Sequence, residues 1–357
     1  MDNNKINELS AEAIGLLKKL IATPSFSKEE DKTASLIVEF LRLKAVTVHR
    51  EGNNVFAQNK HYDPSLKTIL LNSHHDTVKP NKGYTLDPYS PIEKEGKLFG
   101  LGSNDAGGCL VSLIAAFLYF YDTKDLKYNF VLAATAEEEI SGTGGIEATL
   151  AHLPAIDSAI VGEPTLMNMA VAERGLMVLD GLAKGKAGHA ARDEGENAIY
   201  NAITDIDWFR KYQFPKVSSL LGPVQMNVTV IETDNKAHNI VPSACQFVVD
   251  TRVNELYSFE EILSTIRENI KSEVKPRSTR LRSTSIAMDH PLVKSGLASG
   301  RKSFGSPTTS DKALMPFPAL KMGPGDSARS HTANEYIYIQ EIQEGIHLYI
   351  QLLNQLP

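Results

Sequence analysis

The sequence predicts an α/β fold in two domains, and three observations carry that prediction. First, the chain has 357 residues, long for one hydrophobic core and suited to two. Second, short apolar strands alternate with helical patterns from residue 55 onward, the signature of a largely parallel sheet. Third, a central stretch of about a hundred residues changes to strands that alternate apolar and polar residues, with two amphipathic helices between them.

The first two helices are read from their punctuation. Ser10 is a candidate cap for a helix carrying Ile14, Leu17, Leu20 and Ile21 at helical spacing, and Pro24 stops it. Ser27 and Glu30 have the spacing of a capping box before Ala34, Ile37, Val38 and Leu41. Residues 55–58 and 68–71 read as strands, and 107–121 as a buried helix. Residues 129–134 form another strand, 142–150 a helix and 158–161 a short strand. In the central stretch, 176–183, 224–231 and 245–253 alternate as strands, while 197–212 and 258–271 read as helices.

Composition narrows the function classes. The net charge of -6 argues against a nucleic-acid surface, as does the scatter of lysines and arginines. No stretch is expected to reach the roughly 18 to 20 apolar residues of a membrane span, and the N-terminus has no secretory pattern. The two cysteines, Cys109 and Cys245, lie in apolar surroundings without a CxxC partner, which suggests buried free thiols in a reducing cytoplasm. The run GLGSNDAGG puts Asp105 where a dinucleotide fingerprint needs glycine. Ser103 and Ser141 lack the histidine and acid series of a nucleophilic triad.

The chemistry gathers at strand ends, where α/β sheets place their ligand crevices. The run ILLNSHHDTVKP ends a strand in His74, His75 and Asp76. Alternation turns His74 and Asp76 one way and His75 the other, and Asp76 can fix the tautomer of a metal-binding His74. From this segment alone, a histidine-rich turn without metal is the simpler reading. The other strand ends change the weighing. Asp105 opens a helix, Glu137, Glu138 and Glu139 follow one strand, Glu163 follows another, and His331 follows the apolar PALKM. Carboxylates crowded at one sheet edge repel unless a cation neutralises them, so this set predicts a metal site.

These motifs, in this order, resemble the M20-type dinuclear zinc amidohydrolases and peptidases, and the resemblance covers nearly the whole chain. The family's H-x-D stands as His74-His75-Asp76, its G-x-G-x-x-D as GLGSNDAGG, its E-E pair within AEEE and its G-E-P-T as Gly162 to Thr165. Its late histidine stands as His331. The resemblance implies two divalent ions, zinc first, with cobalt or manganese as alternatives. It implies that Asp105 bridges them, that His74 and Glu163 complete one site, and that Glu139 and His331 complete the other. Glu138 would be the general base for a metal-activated water and Asp76 the partner of His74. The sequence leaves open a shift of these roles by one residue among Glu137, Glu138 and Glu139.

The same resemblance implies a catalytic domain in two parts, 1–173 and 278–357, with mostly parallel central sheet. Residues 174–277 would form an inserted ferredoxin-like dimerisation domain of four strands and two helices. His189 in KGKAGHAAR would act across a homodimer; without the resemblance it reads as a surface histidine. Arg252 and Asn239 match positions that hold a substrate carboxylate, Arg174 is a further candidate or a surface arginine, and Gly323 and Gly325 could offer backbone N–H groups or form a tight turn. The segments DTVKP, TAEEE and VGEPT look most like the acetylornithine deacetylase branch. The expectation is a cytoplasmic enzyme removing an acetyl or succinyl group from Nα-acyl ornithine or citrulline in arginine biosynthesis. Its alternatives are succinyl-diaminopimelate desuccinylase, a hydrolase of carrier-linked lysine or ornithine, or a di/tripeptidase. From another class, a non-catalytic metal or amino-acid binding protein would need a missing ligand or base, and none is missing.

Overall fold

The strands Asn129–Thr135, Thr68–His74, Ser158–Val161 and Ala319–Lys321 lie side by side in that order and run parallel. The computed structural model describes residues 1–192 and 194–357. Antiparallel strands flank the parallel centre: Asn54–Gln58 beside Asn129–Thr135, and Met169–Glu173 beside Ala319–Lys321. The architecture is thus mixed α/β with a mostly parallel central sheet.

Both faces of this sheet are covered, which explains why its parallel strands are buried at every position rather than at alternate ones. Ile69 and Leu71 face a core with Leu17, Val111, Phe117, Ile346 and Ile350. Leu70, between them, faces a second core with Val131, Ile146 and Val161. The helix Gly108–Phe120 is almost wholly buried against the helices Asn3–Ile21 and Ile339–Asn354 and the sheet. The sequence expectation that no stretch approaches a membrane span needs correcting here. Ser103–Phe120 passes by length and composition, with mean hydropathy 1.3, and 83% of it is buried inside the fold. An interior helix has no polar face to present, so it reads like a span.

Two local readings are also corrected. The first helix starts at Asn3, because the Asp2 carboxylate accepts the N–H groups of Asn4 and Lys5. Ser10 lies inside it and bonds back to the Ile6 carbonyl. The second helix, Asp31–Leu43, has no side-chain cap from Ser27 or Glu30. Ser27 donates to Asp76 at 2.7 Å, and buried Glu30 accepts from the Asn53 side chain and the Glu137 N–H. The helix expected over 142–150 is shortened to Ile146–Leu150. Gly142 and Gly144 pass so close to the Glu137 side chain that a Cβ at either would collide with it.

The chain divides into two compact units: Met1–Val171 with Ser285–Phe304 and Ser310–Pro357, and Ala172–Thr284 with Gly305–Thr309. The second unit is built on a four-stranded antiparallel sheet, ordered Gln225–Glu232, Ala244–Val253, Gly175–Lys184, Glu273–Pro276. Burial alternates along Gly175–Lys184, so one face is covered. The helices Ala198–Lys211 and Phe259–Asn269 supply Phe209, Ile262 and Ile266 to a core with Met177, Leu179, Phe247 and Val249. Ser258 and Glu261 form a true capping box at the second of these helices. Cys109 and Cys245 are both free and buried.

Phe117, with no exposed surface, should be among the costliest truncations in the first unit. Phe117→Ala should lose about 3–5 kcal/mol in urea unfolding. Leu43→Ala, at a side chain 76% exposed, should stay within about 0.5 kcal/mol.

Candidate metal centre

The strand register brings the site together. His74 is the last residue of its strand and pairs with Thr135, the last of the neighbouring strand. Asn72 and Lys321 both pair with Val161, so Ser158–Val161 and Ala319–Lys321 stop level with each other, two residues short of the His74–Thr135 pair. The turn Glu138–Ile140 leaves the first strand end and Glu163 leaves the third. His331 sits on the segment after Ala319–Lys321, with φ 58°. Asp105 lies in the π turn Ser103–Gly107 that leads into the buried helix, and its peptide to Ala106 is cis.

His74 is the buried centre of this edge. Its Nε2 lies 3.4 Å from Asp105 Oδ1, 3.7 Å from Glu163 Oε1 and 3.9 Å from Glu138 Oε2. The other Asp105 oxygen lies 3.5 Å from His331 Nε2. His331 Nε2 is also 3.0 Å from Glu139 Oε2. Asp105 therefore presents one oxygen to each histidine. Two groups could each hold an ion: His74, Glu138 and Glu163; and His74, Asp105 and Glu139.

The tautomer of His74 follows from its partners. Its Nδ1 is 3.0 Å from the Asp76 carbonyl, which can only accept, so Nδ1 carries the proton. In the neutral ring Nε2 then holds a lone pair aimed among the carboxylates. That atom is buried and has no hydrogen-bond partner. Burial opposes a charge on the metal-free ring, yet Asp105, Asp76 and Glu138 hold its proton affinity well above that of ordinary imidazole, so this edge calls for positive charge and the residues fit a divalent metal in place of that proton. His75 faces the opposite way and is satisfied, with Thr33 at Nδ1 and the Asn53 carbonyl at Nε2.

Asp76 does more than orient His74. Its carboxylate accepts the N–H groups of Glu138 and Glu139, each at 3.1 Å, and the Ser27 hydroxyl. One buried side chain thus fixes a histidine and both glutamates. Glu137, by contrast, turns away, accepting from the Gly144 N–H. Asp311 is buried beside the cluster and accepts from Thr135 Oγ1 at 2.9 Å.

The remaining sequence-predicted residues fall into two places. Gly323 is packed against Glu163 and Cys109; its N–H donates to Thr165 Oγ1, and its carbonyl accepts from Thr165 and Met167. Gly325, at φ 88°, accepts from the Leu166 N–H and lies against Asn104. Arg174, His189, Asn239 and Arg252 belong to the second unit. There His189 pairs with Ile240, and Ala190 donates to the Asn239 carbonyl. Arg252 grips Asp250 with two hydrogen bonds, and Arg174 holds the Leu221 carbonyl and Gln225.

Sequence reasoning missed Glu335 and Asn104. Both are fully buried, and Glu335 accepts from Gly102, Asn104 and Asp105. Their only local signal is position: Asn104 directly precedes Asp105, and Glu335 follows His331 by four residues.

The electrostatics describe a site waiting for positive charge. Burial pushes Glu138 well up, and Glu163, Asp311 and Glu139 add to it. Burial also raises Asp311 to about 7 and Glu335 to about 8. His331 is raised to about 9, chiefly by Glu139. Burial opposes the charge of Asp105, yet His74 and His331 hold it below the usual carboxylate range.

Such an edge of histidines and carboxylates at a sheet's carboxyl end is a candidate divalent-metal centre, and the chain's family and relatives make it that of a metal-dependent amide hydrolase. The chain belongs to Peptidase family M20/M25/M40, whose family model matches residues 70–355. It is 28% identical over 377 residues to an acetylornithine deacetylase of Proteus mirabilis (strain HI4320), covering 95% of each chain. It is 24% identical to a succinyl-diaminopimelate desuccinylase of Wolbachia pipientis, covering 97% of this chain and 93% of the relative. Aminopeptidase PepT of Bacillus cereus shares the fold with a TM-score of 0.79 at 18% identity, covering 96% of this chain and 98% of that one.

The raised groups set a pH dependence for the metal-free chain. Asp311, Glu335 and His331 all have folded values above their unfolded ones. Each contributes stability that is present below its unfolded value and lost as pH rises through the folded one. The metal-free melting temperature should therefore fall from about pH 5 to about pH 8. Zinc should reverse the trend by favouring ionised carboxylates and neutral imidazole. Thermal melts with zinc and with chelator should diverge as pH rises; parallel curves would contradict this reading.

Proposed function

We propose that the chain removes an acetyl or succinyl group from Nα-acyl ornithine or citrulline in arginine biosynthesis, as a cytoplasmic enzyme. The observation that carries the reaction is Asp105 set between His74 and His331, with Glu138 beside them. Similarity to acetylornithine deacetylases along nearly the whole chain supports the substrate. Similarity to succinyl-diaminopimelate desuccinylases keeps that activity as the second reading.

In this proposal Asp105 would be shared by two ions, His74 and Glu163 would help hold one, and Glu139 and His331 the other. Imidazole and carboxylate donors without thiolate suit zinc, with cobalt or manganese as substitutes. The ions, when bound, would polarise the amide carbonyl and make a water acidic enough to attack. Glu138 would accept a proton from the attacking water and pass it to the leaving nitrogen. Asp76 keeps Glu138 and Glu139 apart in role by fixing both backbones.

The second unit is proposed to form a homodimer and to supply His189 as an oxyanion donor to the partner's site, with Arg252, Asn239 and Arg174 as carboxylate contacts. Exposed Tyr200, Ile203, Val230 and Ile231 support an association surface there, as does the edge position of Gln225–Glu232.

The test is amine release from Nα-acetyl and Nα-succinyl ornithine, citrulline, lysine and diaminopimelate, and from simple dipeptides, with and without zinc or cobalt. Metal-dependent release from the ornithine or citrulline compounds is expected. Release from dipeptides alone, or from succinyl-diaminopimelate alone, would replace the substrate. Glu138→Gln should lose about 10²–10⁴-fold in kcat while retaining its metal.

A further inference from the structure

The backbone around Asp105 is irregular. Gly102 has φ 75°, and Asp105 sits at φ -115°, ψ 100° inside the π turn. Several N–H groups there cannot be satisfied by helical bonds and need acceptors from elsewhere. One buried side chain supplies them. Glu335 Oε1 accepts from Asn104 at 2.8 Å and from Asp105 at 2.9 Å, while Oε2 accepts from Gly102 at 3.3 Å.

Asn104 returns the contact from the other direction. Its side-chain amide donates to the Asp326 carbonyl at 3.0 Å and to Ser330 Oγ at 3.3 Å, and its oxygen accepts the Asp326 N–H at 3.1 Å. Asp326 and Ser330 precede His331, and Glu335 follows it. The loop carrying His331 is thus clasped on both sides to the turn carrying Asp105. The other ligands are held separately: His74 and the Glu138–Glu139 backbone by Asp76, and the peptide before Glu163 by the Ser73 hydroxyl and the Asn72 carbonyl.

We propose that Glu335 is a positioning residue that, through the N–H groups of the Asp105 turn, sets the Asp105 carboxylate and the His331 ring relative to each other, so that its loss weakens the ion held with His331 and Glu139 more than the ion held with His74 and Glu163. This rests on the dinuclear reading above. The separation of supports gives the selectivity. Without Glu335, the Asp105 carboxylate and the His331 ring lose their common frame, whereas His74 and Glu163 keep theirs.

The experiment is a zinc titration of the chelator-stripped full chain against a chromophoric competitor, followed in parallel by the visible spectrum of added cobalt. The wild-type chain should take up two ions. Glu335→Ala should bind the second ion roughly 10–100-fold more weakly and lose clearly less at the first, which keeps His74 and Glu163. Glu335→Gln keeps a carbonyl oxygen for the Asn104 and Asp105 N–H groups, so it should recover most of that loss. Glu335→Asp keeps the charge but withdraws it by one methylene, so it should resemble Glu335→Ala and serves in its place if the alanine variant does not fold. Near-ultraviolet circular dichroism of each metal-free variant checks the fold. Two ions bound with wild-type affinity in the folded Ala or Asp variant would overturn the proposal, as would equal weakening of both ions. A wild-type chain that takes up one ion fails the dinuclear reading itself, and that result precedes any substitution.

Discussion

The structure turns on the repulsion among carboxylates collected at one sheet edge. Asp105, Glu138, Glu139 and Glu163 converge on a buried imidazole whose Nε2 finds only acceptors. A divalent ion converts that crowding from a cost into binding energy. The parallel strands end at one edge of the sheet and bring the groups within reach, but they cannot by themselves hold like charges together. The holding is done by an outer ring of buried polar groups. Asp76 grips His74, Glu138 and Glu139; Glu335 grips the Asp105 turn; Glu30 holds the Glu137 N–H; Ser27 reaches Asp76 from the segment before the second helix. Each spends its hydrogen bonds on backbone or side chains that aim a ligand.

This arrangement explains the plainness of the surrounding fold. Covered faces make the strands buried along their whole length, and the helix behind Asp105 is apolar on nearly every side. The polar groups are confined to the strand ends, where loops of different origin meet. The second unit obeys another pattern, with alternating strands and amphipathic helices around its own core. Its residues of interest are engaged among themselves, as the Arg252–Asp250 pair illustrates.

How much of this was legible in the sequence depended on the range of the interaction. His74, Asp105, Glu138, Glu139 and Glu163, which the structure gathers at one sheet edge, were readable because each lies within a few residues of an apolar strand or helix whose type is set locally. His75 was assigned to the opposite face by alternation alone, and its contacts agree. Ser27 and Glu30 were misread for a physical reason: a serine and a glutamate three apart satisfy the local capping pattern, yet their actual partners stand 49 and 23 residues away. Glu335 was invisible for the same reason, its Asp105 contact spanning 230 positions. The buried helix behind Asp105 was readable from its apolar run, although its length and composition also pass for a membrane span, since burial in a protein and in lipid select the same residues.

The most direct test of the central claim, that one carboxylate joins two metal sites, is X-ray absorption on the zinc-loaded chain, with metal content measured on the same sample. Two ions per chain and a metal–metal vector of roughly 3.5–4 Å, both lost in Asp105→Ala, are predicted. A single ion with no metal–metal scattering, or a pair unaffected by Asp105→Ala, would contradict the account.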